Sequence, residues 1–287
     1  MTSTTGSVTL SPKAVKRAAV VTHGKAQTIG PALARLAIVA REAEVELLMG
    51  EEEAEKHGLD PDTGDPSEVD IAIVLGGDGT MLRALARFLG TDVPVIGVNF
   101  GRVGFLSSIT RDGLEAGLAR VFAGEYRVEQ LPTLEVEVGE EQRVAVNDLV
   151  VTSAVVGRMI QLEWAVGGEA LGRLGCDGLV CATPPGSTGY NFSNGGPVLV
   201  WGLDAMSVTF VAPHSLNARP LVVPRGAELL VWNRTPDVAS TVLVDGHNVA
   251  DLPPGGRVVA RVGAQRLLLA TLPEVTFFSR YRRAFAS

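Results

Sequence analysis

Apolar runs divided by polar and glycine-rich breaks organise the first half of the chain into alternating strands and helices. Ala18-Ala19-Val20-Val21-Thr22 is a short apolar run of strand type, and Gln27 to Arg41 sets Ile29, Leu33, Leu36 and Ala40 at helical spacing. Val45 to Met49 predicts a second strand, and the acidic stretch Glu51 to His57 a second helix. Pro61, Gly64 and Pro66 make Asp60 to Ser67 a loop. Ile71-Ala72-Ile73-Val74-Leu75 is apolar without alternation, as a parallel strand buried on both faces requires. The next helix carries Met81, Leu82, Leu85, Phe88 and Leu89 on one side and Arg83 and Arg87 on the other. Val95 to Asn99 is a further strand and Asp112 to Phe122 a further helix. This alternation predicts a parallel sheet with helices on its faces.

Near Gly124 to Arg127 the texture changes. Leu134 to Val138, Val144 to Thr152, Gln161 to Val166, Val208 to Val211, Glu228 to Trp232, Thr241 to Val244 and Val258 to Val262 are short strand patterns punctuated by Gly and Pro. The fold class expected is therefore an α/β N-terminal domain with a parallel sheet, residues 14–125, followed by a β-rich C-terminal domain, residues 126–269. The polar residues 1–13 are expected to be a disordered tail. Thr276 to Arg283 is aromatic and basic, and its rings need something to pack against.

Composition narrows the function classes. A formal net charge of −7 leaves no basic surplus for phosphate backbones or membrane surfaces, so neither nucleic acid nor membrane is an expected partner. All lysines lie within the first 56 residues, and an anionic ligand must be held locally, by backbone amides and arginines. Cys176 and Cys181 are too few for a metal cage and too far apart for a redox C-x-x-C pair. They are expected to be reduced, buried thiols of a cytoplasmic protein. No stretch approaches the roughly 20 apolar residues of a membrane-spanning helix.

The strongest local signal is Gly76-Gly77-Asp78-Gly79-Thr80, set between a buried strand and an amphipathic helix. Ligands bind at the carboxyl ends of parallel strands, where this loop falls. Gly76, Gly77 and Gly79 let the backbone approach a ligand, and Thr80 is expected to cap a helix whose N-terminus favours phosphate. Asp78 is then an acid in an anion-binding loop, and general base toward a hydroxyl nucleophile is its natural task. A glycine-rich turn with a helix cap is the bland alternative. The dinucleotide pattern G-x-G-x-x-G fails at Leu82, and no G-x-x-x-x-G-K-[ST] occurs.

A second cluster runs from Asp177-Gly178 through Thr183-Pro184-Pro185-Gly186-Ser187-Thr188-Gly189-Tyr190, followed by Ser193-Asn194-Gly195-Gly196-Pro197. A strand enters a rigid turn and a hydroxyl-rich segment whose amides, Ser187, Thr188 and the Tyr190 ring suit a ribose, an adenine or a diphosphate. Gly186-Ser187-Thr188-Gly189 is not the G-x-S-x-G elbow of hydrolases.

These clusters, with Asn147-Asp148 between them and Pro213-His214-Ser215-Leu216-x-x-Arg219-Pro220 after them, closely resemble the NAD kinase family in order and spacing. Gly101-Arg102-Val103-Gly104-Phe105-Leu106 and Phe277-Phe278 look like that family too, and the resemblance covers roughly residues 15–287. It implies that residues 270–287 return to complete the first domain, and that the chain forms homodimers or homotetramers with sites near the subunit contacts. The implied reaction is direct phosphoryl transfer from ATP or polyphosphate, with Mg²⁺ brought by the donor, to the adenosine 2′-hydroxyl of NAD. By motif position, Asp78 resembles the catalytic base, with Gly76, Gly77, Gly79 and Thr80 lining the phosphate loop. Asn147, Asp148, Thr188, Tyr190 and Ser193 would serve the adenosine part of NAD and Asp177 the nicotinamide end, with Ser187 and Gly189 also NAD-binding.

The chain departs from the family at several points. The family usually has Asn-Glu where Asn147-Asp148 stand, Thr or Ser at Pro185, and Ala at Gly189. The basic residue often found two before Asp-Gly is Gly175 here, with Arg173 nearby. His214 is as well explained by burial as by ligand contact. Asp245-Gly246-His247 has the composition of a β-turn, with Asp245 open as a second acid near the site. His23 is expected to be structural or solvent-facing, and Glu51 to Glu55 a solvated helix face. Two other functions fit parts of the pattern: a lipid or sugar kinase sharing only the Gly-Gly-Asp-Gly-Thr loop, and a non-catalytic NAD(P)-binding sensor.

Overall fold

A computed structural model of the chain describes residues 13–23, 26–61, 68–101 and 104–285. Residues 1–12, most of the expected tail, and 62–67, most of the expected loop, lie outside the described residues. The chain divides into two compact units, 1–130 with 267–287, and 131–266.

The first unit begins β1 (Arg17–Thr22), α1 (Ala26–Glu42), β2 (Glu46–Leu48), α2 (Glu51–His57), β3 (Ile71–Gly76), α3 (Asp78–Arg87), β4 (Val95–Asn99), β5 (Ile109–Thr110) and α4 (Leu114–Phe122). The strands pair in the order β5-β4-β3-β1-β2, all parallel. Every residue of β3 is buried, which accounts for its unbroken apolar run. Ile71, Ile73 and Leu75 pack with Ile29 and Leu36 of α1 and Leu114 and Leu118 of α4. On the opposite side Met81 of α3 lies against Gly97 of β4, where a Cβ would collide with its side chain. The helices therefore cover both faces, and β3 delivers its last residue to the loop before α3.

In the second unit the chain forms β6 (Arg127–Val138), β7 (Glu141–Ala145), β8 (Asp148–Ser153), β9 (Ile160–Val166), β10 (Glu169–Cys176), β11 (Gly178–Ala182), a 3₁₀ turn (Gly186–Thr188), α5 (Tyr190–Ser193), β12 (Ala205–Val211), β13 (Leu221–Pro224), β14 (Leu229–Asn233), β15 (Ser240–Val244), β16 (His247–Leu252) and β17 (Arg257–Thr271). β10, β9, β14 and β17 pair antiparallel, as do β6 and β7. A second antiparallel sheet runs β13-β12-β11-β8-β15-β16. Leu162, Leu229 and Val231 of the first set share one core with Leu149, Leu179, Cys181, Met206 and Val242 of the second, giving a sandwich. The α/β and β-rich organisation is as expected. Cys176 and Cys181 are free and buried.

One expected strand divides. Val144 to Thr152 is broken at Val146-Asn147, where the Asp245 carboxylate accepts the amides of Val146, Asn147 and Asp148 at 2.8, 2.7 and 3.1 Å. Those donors serve Asp245 instead of a ladder, and β7 and β8 pair with different partners.

The chain re-enters the first unit at Leu267, within β17. Leu269 pairs parallel with Val95 of β4, and α6 (Phe277–Phe285) follows. The rings expected to need a partner find Phe105: its centroid is 5.3 Å from that of Phe277, edge to face, and 6.1 Å from that of Phe285.

Candidate active site

The loop after β3 is built by close approach. Gly77 is the extended residue before α3 and makes no side-chain cap. Thr80 is not the cap expected: it lies inside the first turn, where its amide and that of Met81 return to the Gly77 carbonyl at 3.0 Å. Its buried side chain instead occupies the space above Gly76, where a Cβ would come within 2.5 Å of Oγ1. Asp78 is the first residue of α3 and half-buried, a favourable place for a carboxylate beside the positive end of the helix. Its Oδ2 accepts the Phe105 amide at 2.6 Å and its Oδ1 the Leu106 amide at 3.1 Å. Gly104 completes this cradle, because a Cβ there would strike Asp78 Oδ1. Gly79 is exposed at the mouth of the turn. Arg102 and Val103 lie outside the described residues.

Beside this loop, at the carboxyl end of β1, sits a polar cluster that corrects one expectation. Glu53 is not part of a solvated face; it is 1% exposed. Its Oε2 accepts the Thr22 amide at 2.9 Å and the Thr22 hydroxyl at 2.8 Å, while Oε1 pairs with Lys56 at 3.0 Å. Thr22 Oγ1 also lies 2.7 Å from His57 Nε2, and Arg83 of α3 donates to the Thr22 carbonyl at 2.6 Å. His23 is exposed and its amide donates to the Leu75 carbonyl.

In the second unit the expected residues fall into two groups. One gathers where β8 begins and β11 ends, Asp148 facing Ala182 in register. Thr183 ties them, its hydroxyl 2.7 Å from the Val146 carbonyl and its amide 2.8 Å from that of Asn147. Gly186 passes so close to the Asn147 carbonyl that any side chain would overlap it. Ser187 is fully buried, donating to the Pro184 carbonyl at 2.7 Å and accepting the Leu199 amide at 2.9 Å. Thr188 donates to the Pro185 carbonyl at 3.2 Å, while Gly189, Tyr190 and Ser193 are exposed. Asn191, which sequence reasoning passed over, is the buried pin of this turn: its amide donates to Ser187 and Pro197 and its Oδ1 accepts Ser207 and Thr209.

Asp148 is buried, and burial followed by the Asp245 carboxylate pushes its carboxyl up to about 6. Asp245 lies in the turn between β15 and β16, at φ 49°, and returns its own amide to the Asp148 carbonyl at 3.0 Å. The Asn147 Oδ1 is buried without a hydrogen-bond partner. Asp177 and His214, which is exposed and not buried, lie at the other end of β11, and Arg173 stands apart, four residues before Asp177 in β10. Asp177 is exposed at the start of β11, its amide on the Val211 carbonyl, and the His214 amide donates to Gly175. Arg173, in β10, donates to the Arg234 carbonyl at 2.6 Å. The five residues of β11, at roughly 3.3 Å each, separate the two groups by about 17 Å.

Known proteins share this architecture and these sequences. Residues 37–126 match the ATP-NAD kinase N-terminal domain and residues 146–272 the ATP-NAD kinase C-terminal domain. An NAD kinase of Leifsonia xyli is 41% identical over 226 residues, 77% of this chain and 74% of that one. The chain belongs to the NAD kinase family. As a member it is a phosphotransferase that converts NAD into NADP. The NAD kinase of Heliobacterium modesticaldum is 38% identical over 74% of this chain and 76% of its own length. An Archaeoglobus fulgidus NAD kinase solved in complex with ATP superposes with a TM-score of 0.73 at 27% identity, covering 94% of this chain and 97% of that one. A yeast NADH kinase complexed with NADH shares the fold, with a TM-score of 0.82 at 22% identity, covering 96% and 89%. The C-terminal match spans the second cluster, which a lipid or sugar kinase sharing only the first loop would leave unexplained. No described helix is long and apolar enough to cross a membrane.

Proposed function

We propose that the Gly76–Thr80 loop receives the terminal phosphates of the donor and that Asp78 is the general base toward the adenosine 2′-hydroxyl of NAD. The placing of Asp78 carries this reading. It opens α3 at the carboxyl end of a buried parallel strand, and two backbone amides fix its carboxylate. A carboxylate offers about four lone-pair positions, so two amides leave room for a hydroxyl. The 2′-oxygen attacks the terminal phosphorus in line and its proton passes to Asp78. The bond from that phosphorus to the bridging oxygen breaks, and the shortened donor leaves with the electron pair. The loop amides and the N-terminus of α3 offset charge on the transferring group. No described cluster of three His, Cys, Asp or Glu could hold a resident metal. Magnesium carried in on the donor phosphates adds further neutralisation when bound.

ATP is the donor we favour, given the ATP complex of the Archaeoglobus relative; polyphosphate presents the same terminal groups. Asn147, Asp148, Thr188, Gly189, Tyr190 and Ser193 are proposed to hold the adenosine part of NAD, with the unpaired Asn147 oxygen as an acceptor awaiting a donor. Ser187, with its hydroxyl turned inward, shapes the turn instead of touching the ligand. Asp177 is proposed to serve the nicotinamide end, with His214 and Arg173 as further candidate contacts. Self-association to a homodimer or homotetramer, with sites near the subunit contacts, is proposed as well. Fully exposed Val156 and Leu216, both in the second unit, suit such a covered surface. Buried reduced thiols suit residence in the cytoplasm.

The test is NADP formation from NAD and Mg²⁺ with ATP or polyphosphate, read by an NADP-specific dehydrogenase. Asp78→Asn is expected to lower turnover by about 10²–10⁴ with the fold intact. Turnover unchanged in that variant would remove Asp78 from the mechanism.

A further inference from the structure

Arg280, on α6, is buried to 1% exposure. Its Nη1 donates to the Phe105 carbonyl at 2.8 Å and the Ser107 carbonyl at 2.6 Å, and its Nη2 to Ser108 Oγ at 3.4 Å. The other side of this short segment is the cradle of Asp78. A single peptide group joins the two: the Phe105 carbonyl accepts from Arg280, while the N–H of the same peptide, that of Leu106, donates to Asp78 Oδ1. A cation on the carbonyl polarises the peptide and strengthens what its N–H gives.

Burying a guanidinium is expensive, and an apolar side chain of similar volume would often serve stability as well. Packing alone does not require the charge here, because Phe277 and Phe285 already hold the Phe105 ring. Burial brings the guanidinium down to about 10, with Arg283 acting in the same direction and Asp78 against it, so Arg280 remains charged at neutral pH.

We propose that Arg280 is a positioning residue for Asp78, aligning the carboxylate for proton transfer through the Phe105–Leu106 peptide. This rests on Asp78 as the base. The fork of Arg280 fixes the segment from Phe105 to Ser108, and that segment fixes both carboxylate oxygens. The C-terminal helix thus acts on the chemistry without touching a substrate.

The experiment is a double comparison. Arg280→Met keeps an apolar stem and removes every donor; Arg280→Lys keeps a charge and loses the fork. Each is made in the native chain and in Asp78→Asn, with kcat and KM measured for NAD and ATP and melting followed by circular dichroism. In the native background Arg280→Met is expected to lower kcat by about 10–100-fold through misplacement of the base. Both KM values should stay within about twofold, and Arg280→Lys should recover part of kcat. In the Asp78→Asn background the same changes should have almost no effect on the residual rate, because no base remains to be aligned. Equal fold losses in both backgrounds, or a loss carried by KM, would overturn the proposal while leaving Asp78 as the base. Native turnover in Asp78→Asn alone would instead overturn the base assignment, and this inference with it. If the Met variant does not fold, Arg280→Lys carries the same comparison.

Discussion

Replacing Asp148 by Asn removes a carboxyl group that the fold holds at a disadvantage. The side chain is 7% exposed and shares its pocket with Asp245, whose carboxylate is bound to the amides of Val146, Asn147 and Asp148. Raising the Asp148 carboxyl from an ordinary 3.8 to about 6, at roughly 1.4 kcal/mol per factor of ten, costs the ionised folded state about 3 kcal/mol. The folded chain binds this proton more tightly than the unfolded chain. Between about pH 4 and 6 the native state therefore carries more protons, and stability from this group falls as pH rises. Below pH 4 both states are protonated and the penalty vanishes; above pH 6 it is complete. Asp148→Asn should match the native chain near pH 4 and exceed it by up to about 3 kcal/mol at pH 8. Urea unfolding at pH 4, 6 and 8, followed by the fluorescence of Trp164, Trp201 and Trp232, all in the same unit, measures the difference. A difference independent of pH, or a variant less stable at pH 8, would refute burial of a strained carboxylate. NAD affinity is expected to fall in the same variant, since the proposed adenosine contact is lost while the fold gains.

Two further outcomes follow from close contacts. Gly186→Ala sets a methyl group against the Asn147 carbonyl, so stability should fall by about 1–3 kcal/mol; the KM for NAD should rise and that for ATP should not, as steady-state kinetics would show. Glu53→Ala leaves the buried Thr22 amide without its acceptor, at about 1–3 kcal/mol, and leaves the Thr22 hydroxyl only His57 Nε2 as a partner. A thermal melt of that variant coinciding with the native one would contradict the role assigned to this carboxylate.

Much of the first unit was legible because its determinants are local. The run Ile71–Leu75, the glycine break and the amphipathic helix beyond are one strand, one loop and one helix, and each announces itself by composition and period. The cradle of Asp78 was only half legible. Gly104-Phe105-Leu106 stood out as a motif, yet nothing local ties it to residue 78 or to Arg280, which meet it through tertiary packing alone. Glu53 illustrates the same limit, being one glutamate in an acidic run that becomes a buried acceptor because Thr22 ends its strand alongside. In the second unit β10, β13 and β16 were missed. They are held by backbone pairing at or beside sheet edges, and their side chains are largely exposed, so no alternation marks them. The break at Val146-Asn147 depends on a carboxylate almost a hundred residues later, a signal that no window on the sequence contains.

The first unit closes with a segment that is made after the second unit. Leu269, the partner of Val95, and Arg280, on the far side of the Asp78 cradle, lie beyond the whole second unit in the chain. On a ribosome adding about 5–20 residues each second, β4 waits with part of its edge open while the sandwich is synthesised. During that wait Asp78 lacks Arg280, its proposed distant support. A chain halted before Leu267 would carry every residue of that loop without the segment proposed to align its acid, so on this reading both stretches of the first unit must be made before turnover reaches its full rate.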